Sequence, residues 1–200
     1  MLSIKDLSNK FTKELPGERA HKAFYPFRYN QLVDISNRKE SAVAVHLFKK
    51  EEEFHFLLIK RSTYNGHHSG QIAFPGGKKD TTDDTLEYTS RRESFEELGI
   101  PIERGNLLKV LTPVYIPVSN FMVNPFVFLH PLQPMITINE EVVEVYEVSL
   151  EQLLDETNIC HTDIQVGNTN MKNIPAYNFE NCLVWGATAL ILSELKEILV

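Results

Sequence analysis

Three glutamates, Glu93, Glu96 and Glu97, follow a Phe74-Pro75-Gly76-Gly77 turn within one short stretch of chain. At about 100° per residue, Glu93 and Glu97 lie one helical turn apart with Glu96 beside them, all within an arc of roughly 100°. Such a face repels itself unless a cation sits on it. Hard divalent ions such as Mg²⁺ or Mn²⁺ take carboxylate oxygens, fill their remaining positions with water and bridge to phosphate oxygens. The spacing therefore points to a metal platform for phosphate chemistry, against the plainer alternative of a solvated helix face. Two glycines after a proline also let backbone come close to a ligand or ion.

A helix over 85–98 must present those carboxylates. Asp84 is the candidate N-cap, with Glu87 three residues on as in a capping box, and Gly99 can close the C-terminus in a left-handed conformation. Tyr88, Phe95 and Leu98 fall on the opposite side, so the acidic face is expected to look into solvent while that apolar face packs. Arg92 lies one turn before Glu96 and is placed to fix its orientation or meet phosphate, a structural salt bridge being the favoured of the two.

Gly77, Asp83 and the run Arg92-Glu93-Ser94-Phe95-Glu96-Glu97-Leu98-Gly99-Ile100 resemble the Nudix box, G-x5-E-x7-R-E-U-x-E-E-x-G-U. Asp83 or Asp84 stands where the box has its first glutamate, with one extra residue before the arginine. Ser94 takes a position that is otherwise apolar, which implies looser packing there. Upstream, Leu57-Leu58-Ile59-Lys60-Arg61-Ser62, then Gly66, His68, Gly70 and Phe74-Pro75-Gly76-Gly77, resembles the signature that precedes the box in coenzyme A pyrophosphatases. Ile59 replaces its threonine and Gly66 its second arginine. Val184-Trp185-Gly186-Ala187-Thr188-Ala189 resembles the end of the same enzymes, so the likeness spans roughly residues 41–195.

The resemblance implies an α/β/α sandwich with a mixed sheet, and a metal-dependent pyrophosphohydrolase that cuts coenzyme A or its derivatives into 4'-phosphopantetheine and adenosine 3',5'-bisphosphate. It makes Glu93, Glu97 and Glu96 the metal ligands, with the carbonyl of Gly76, and Mg²⁺ or Mn²⁺ the cofactor. Glu93, Glu96 and Arg92 are the catalytic candidates on the helix, and Glu141, ahead of Glu140 and Glu144, is the loop candidate for general base. Arg61, His68 and Lys78 are candidates for holding the substrate's phosphates. Two other readings stay open: a substrate such as ADP-ribose or a dinucleotide, and a ligand-sensing module without turnover. The second would be expected to have lost glutamates that this chain keeps.

The rest of the chain agrees with a compact enzyme. Two hundred residues, 42% of them hydrophobic, can bury a sizeable core, and a formal charge of −7 argues against nucleic acid as the main partner. No apolar run is long enough to cross a bilayer and nothing resembles a signal peptide, so a cytoplasmic protein is the expectation. Cys160 and Cys182 lack the spacing of a zinc or redox motif and are read as reduced. Ile4, Leu7, Phe11 and Leu15 recur at helical spacing behind Ser3, giving an appended helix and an extension over 1–40 before a catalytic domain over 41–200. Strands are expected at 41–48 and 54–60 as a hairpin, then at 107–116, 121–129, 142–148, 163–166 and 173–179, with helices at 150–155 and 185–199. Ile191, Leu195 and Ile198 of the last helix are read as core or dimer contact, and a homodimer is an open option.

Overall fold

A computed structural model describes residues 2–24, 36–62, 70–166 and 169–200. Its centre is β1 (Lys39–Lys50), which pairs antiparallel with β2 (Glu53–Arg61) through the expected hairpin and parallel with β7 (Phe121–His130). The sheet therefore mixes both pairings. Around these three strands lie β3 (Ile72–Ala73), β4 (Gly76–Lys78), β5 (Asn106–Val110), β6 (Val114–Ile116) and β8 (Val142–Ser149), eight strands in all. A second, three-stranded sheet is made of β9 (Ile159–Val166), β10 (Thr169–Phe179) and β11 (Cys182–Trp185). The expected strand at 107–116 is two strands, and β11 was not foreseen.

Period-two alternation along the central strands supplies two buried faces. Val45 and Leu47 of β1, Phe56 and Leu58 of β2, and Val127 and Leu129 of β7 join one core cluster with Leu190, Leu192 and Leu195 of α5 (Gly186–Leu199). Their neighbours, Ala42, Ala44, Leu57, Ile59, Phe126 and Phe128, point the other way, beneath α3 (Leu86–Leu98). Helices thus cover both sides of a mixed sheet, an α/β/α sandwich. Ile191, Leu195 and Ile198 are buried within this one chain, which makes the stripe core.

The amino-terminal segment belongs to the same core. Ser3 caps α1 (Ile4–Lys10) through a capping box with Asp6, and Leu7 and Phe11 are buried in the α5 cluster. After α2 (Glu18–His21) and a 3-10 turn at Lys22–Phe24, Phe24 stacks on Tyr177 of β10, ring centres 4.6 Å apart. Glu194 of α5 accepts from the Gly17 amide at 3.1 Å and from the Thr112 amide and hydroxyl at 2.9 and 2.6 Å, which ties the entry segment and the sheet to the last helix. A short α4 (Leu150–Leu154) follows β8 behind a Ser149–Gln152 capping box. Cys160 and Cys182 are both free. Among the described residues, no helix is long and apolar enough to cross a membrane.

Candidate functional site

The cap of α3 lies one residue later than expected. Thr85, not Asp84, is the N-cap, its hydroxyl accepting from the Tyr88 amide at 3.0 Å, and Gly99 closes the helix in the left-handed conformation. The buried face also differs from the expectation. Tyr88 and Phe95 are 40% and 51% exposed, whereas Thr89, Ser90, Ser94 and Glu97 are buried with Leu98. Short polar side chains win that face because each finds a partner there. Ser94 Oγ donates to the Ser90 carbonyl at 2.7 Å and stands 2.9 Å from His46 Nε2, while His46 Nδ1 is 2.8 Å from His130 Nε2. With the serine hydrogen already committed, His46 must donate to Ser94 and accept from His130. Ser94 therefore completes a hydrogen-bonded chain rather than loosening the packing. Burial holds both imidazoles neutral, His46 well below its usual range and His130 down to about 4.

The turn between β3 and β4 supports the carboxylates. Gly76 has φ +151°, and a Cβ there would lie 2.3 Å from the Ala42 carbonyl oxygen, so only glycine fits. Its amide donates to Glu97 Oε2 at 2.8 Å. A Cβ on Gly77 would lie 2.5 Å from the Glu93 carboxylate carbon. Two carboxylates one helical turn apart therefore rest on the backbone of two consecutive glycines.

Glu97 is only 1% exposed, which corrects the expected solvent-facing edge. Burial pushes its carboxyl up to about 7 despite Arg61 and the Gly76 amide, and the charges of Glu93 and Glu141 add to the rise. Arg61 Nη1 is 3.0 Å from Glu97 Oε1, an ion-pair distance, but its N–H is aimed at the Gly76 carbonyl 3.1 Å away. Glu97 Oε1 is thus a buried oxygen without a hydrogen bond. Glu93 is also raised, by burial against the pull of Arg92.

Arg92 organises the outer part of the site. Its Nε and Nη2 clasp buried Asp83 at 2.9 and 3.0 Å, and its Nη1 lies 2.9 Å from Glu93 and donates to both oxygens of Glu96 at 3.1 Å. The guanidinium holds the Asp83 carboxyl down at about 2. Asp83 rather than exposed Asp84 is therefore the anchoring acid ahead of the helix. Glu96 is half-exposed at the rim.

The loop carrying Glu141 docks on the end of α3. The Thr137 and Asn139 amides donate to the Leu98 and Glu97 carbonyls at 2.8 and 3.3 Å, and the Ser62 amide donates to the Glu141 carbonyl at 2.7 Å. An exposed carboxylate, Glu141, thereby reaches the field of Glu97. Lys78 is exposed in β4, beside Arg61 and the glycines, on a cavity of about 340 Å³. Ile191 lines that cavity too, so the core stripe contributes to its wall. His68, with Gly66 and His67, lies outside the described residues, as does much of the loop expected over 21–39.

Among the described residues, no three His, Cys, Asp or Glu side chains are gathered into a cage that could hold a metal by itself. Mg²⁺ is nevertheless usually held by one or two carboxylates, with water and substrate phosphates completing its shell. Glu93 and Glu97 fit that donor set, because Glu97 Oε1 is buried, has no hydrogen bond, and belongs to a carboxyl whose charge burial opposes. Sequence reasoning missed the His46–His130 pair and the direct contact of Arg61 with Glu97. An inward-facing histidine in β1 and a serine at an apolar helix position were the available signals, and only the fold shows that they meet.

Residues 38–165 match the family model described as the NUDIX domain. An uncharacterized Nudix hydrolase, NudL, of Enterobacter sp. (strain 638) is 36% identical over 163 residues, covering 81% of this chain and 83% of that protein. A NudL of Photorhabdus laumondii subsp. laumondii is 29% identical over 200 residues, covering 98% of each chain. In fold, the chain is similar to the crystal structure of a Nudix hydrolase from M. smegmatis, RenU, with a TM-score of 0.57 at 18% identity, covering 81% of this chain and 86% of that one.

Proposed function

Because this chain belongs to the Nudix hydrolase family, we propose that it is a metal-dependent pyrophosphohydrolase acting on coenzyme A or a derivative, with 4'-phosphopantetheine and adenosine 3',5'-bisphosphate as products. The observation that carries this reading is the pair Glu93 and Glu97, seated on Gly76 and Gly77 beside Arg61 and Lys78. Nudix hydrolases generally use divalent metals such as Mg²⁺ or Mn²⁺. Bound here by Glu93 and Glu97, such an ion supplies charge neutralisation at phosphate oxygens and a more acidic water.

The chain's own groups do the rest. Arg92 fixes the orientation of Glu93 and Glu96 while Asp83 holds Arg92. Glu96 stands at the rim as an outer carboxylate. Glu141 is the proton acceptor for the attacking water, being exposed and close enough to influence Glu97. Lys78 meets a phosphate oxygen, and Arg61 steadies Glu97 and the Gly76 carbonyl. The preference for coenzyme A rests on the run from Leu57 to Gly77. Gly66, where that signature has an arginine, keeps ADP-ribose or a dinucleotide as the second reading.

A panel of coenzyme A, ADP-ribose, NADH and diadenosine polyphosphates, each with Mg²⁺ and with Mn²⁺ and scored by product mass, tests the proposal. Coenzyme A or a thioester of it should be cut fastest into the two named products. Faster cleavage of ADP-ribose would replace this reading with the second.

A further inference from the structure

The cavity beside the glycine turn has cations at both ends. β1 alternates, so Lys39, Ser41 and Val43 share one face. Ser41 and Val43 line the cavity, with Lys78 directly opposite Ser41 and Gly76 opposite Val43. Lys39 pairs with Phe121, whose ring also lines the cavity, and its Nζ lies 5.6 Å from the centre of that ring. Four residues of strand place the Lys39 backbone about 13 Å from the Gly76 turn. Among the described residues, the ammonium groups of Lys39 and Lys78 form no ion pair. Glu40, the one acid of β1, falls on the other face and is held by Arg38 and Asn124 at 2.9 and 3.0 Å.

Between those ends the wall is aromatic and mixed in polarity. Phe121 and Trp185 supply flat apolar surface, while Gln71 and the indole N–H of Trp185 add polar groups. A purine nucleoside matches that combination. The charge at the far end then separates the two halves of a coenzyme A substrate. Beyond the diphosphate the pantetheine arm is uncharged, whereas the adenosine carries a phosphate on its ribose, so only the nucleotide half gives Lys39 a counter-charge. We propose that the cavity takes the adenosine and that Lys39 selects its 3'-phosphate; this rests on the diphosphate reading above.

Adenosine 3',5'-bisphosphate and AMP have no diphosphate to cut, so both are titrated calorimetrically into the full-length protein with Mg²⁺. The bisphosphate should bind about fivefold tighter, the worth of one exposed charge pair. Trp185 is the chain's one tryptophan and lines the cavity, so its emission should change with either ligand. Lys39→Met keeps a stem over Phe121 and removes the charge, and Lys39 is exposed, so folding is not at stake. This variant should bind the two ligands equally, whereas Lys39→Arg should keep the preference. Equal affinities in the wild type, no binding of either, unchanged emission, an undiminished preference in Lys39→Met, or tighter binding of adenosine 2',5'-bisphosphate would overturn the proposal. Cleavage of coenzyme A and 3'-dephospho-coenzyme A with equal kcat/KM keeps the diphosphate reading and removes this one. The nucleotide preference without cleavage of either compound does the reverse.

Discussion

Glu97 holds a carboxylate where burial opposes its charge, and that conflict has a measurable sign. Its carboxyl moves from an ordinary 4.5 to about 7 on folding. Between those values the folded protein keeps a proton that the unfolded chain has lost, so this group's contribution to stability falls as pH rises from 4.5 to 7. Glu97→Gln removes the loss. In urea titrations without metal, the variant should gain on the wild type across that window, by up to about 3 kcal/mol, while losing ~100-fold or more in kcat with Mg²⁺. A stability difference that is flat with pH would contradict the burial argument. Asp83 behaves oppositely. Held at about 2 by Arg92, it stabilises the fold above its unfolded value of 3.8, and that contribution disappears as pH falls towards 2. Asp83→Asn leaves Arg92 with Glu93, Glu96 and the Lys78 carbonyl but no buried counter-charge, and should cost about 3 kcal/mol and reduce kcat, because the guanidinium that orients Glu93 and Glu96 loses its anchor.

At the scale of the helix, α3 is held to the sheet largely by hydrogen bonds. Ser94→Ala leaves the buried His46 N–H without an acceptor and should lower stability by about 1–3 kcal/mol in a urea titration at pH 7. Cysteine, a weak acceptor of similar size, should recover only part of the loss. The limits of this helix and most strands were legible from periodicity, cap residues and glycine, since those signals are local. The apolar face was not: Tyr88 and Phe95 carry hydrophobic side chains, but the partners of Thr89 and Ser94 on the buried face are Asp83 and His46, both brought there by the fold. Two capping residues stood side by side, and Thr85 was chosen over Asp84. The acidic platform was legible as to its residues but not as to its burial, because nothing near Glu97 in sequence shows that Gly76 and Arg61 cover it.

Across the whole molecule, Glu194 helps lock the segment ahead of the sheet to the last helix, beside the bond from Lys10 to the Leu199 carbonyl, the Arg19–Glu197 ion pair and the packing of Leu7 and Phe11. Glu194 accepts from Gly17 and twice from Thr112, entirely out of water. Glu194→Ala should cost about 3–5 kcal/mol by stranding those donors. Its activity should stay near wild type at temperatures where it remains folded, since α5 packs on the face of the sheet opposite α3; a normal melting temperature would show that the lock is not structural. The cavity, in turn, is built by β4, β6, β10 and α5 together, which is why no single stretch of sequence announced it. The measurement that tests the central claim most directly is Mn²⁺ binding followed by electron paramagnetic resonance at pH 7.5, on the wild type, Glu93→Gln and Glu97→Gln. Saturable binding by the wild type, weakened tenfold or more in each variant, is the predicted result, and equal Mn²⁺ affinity in all three proteins would contradict it.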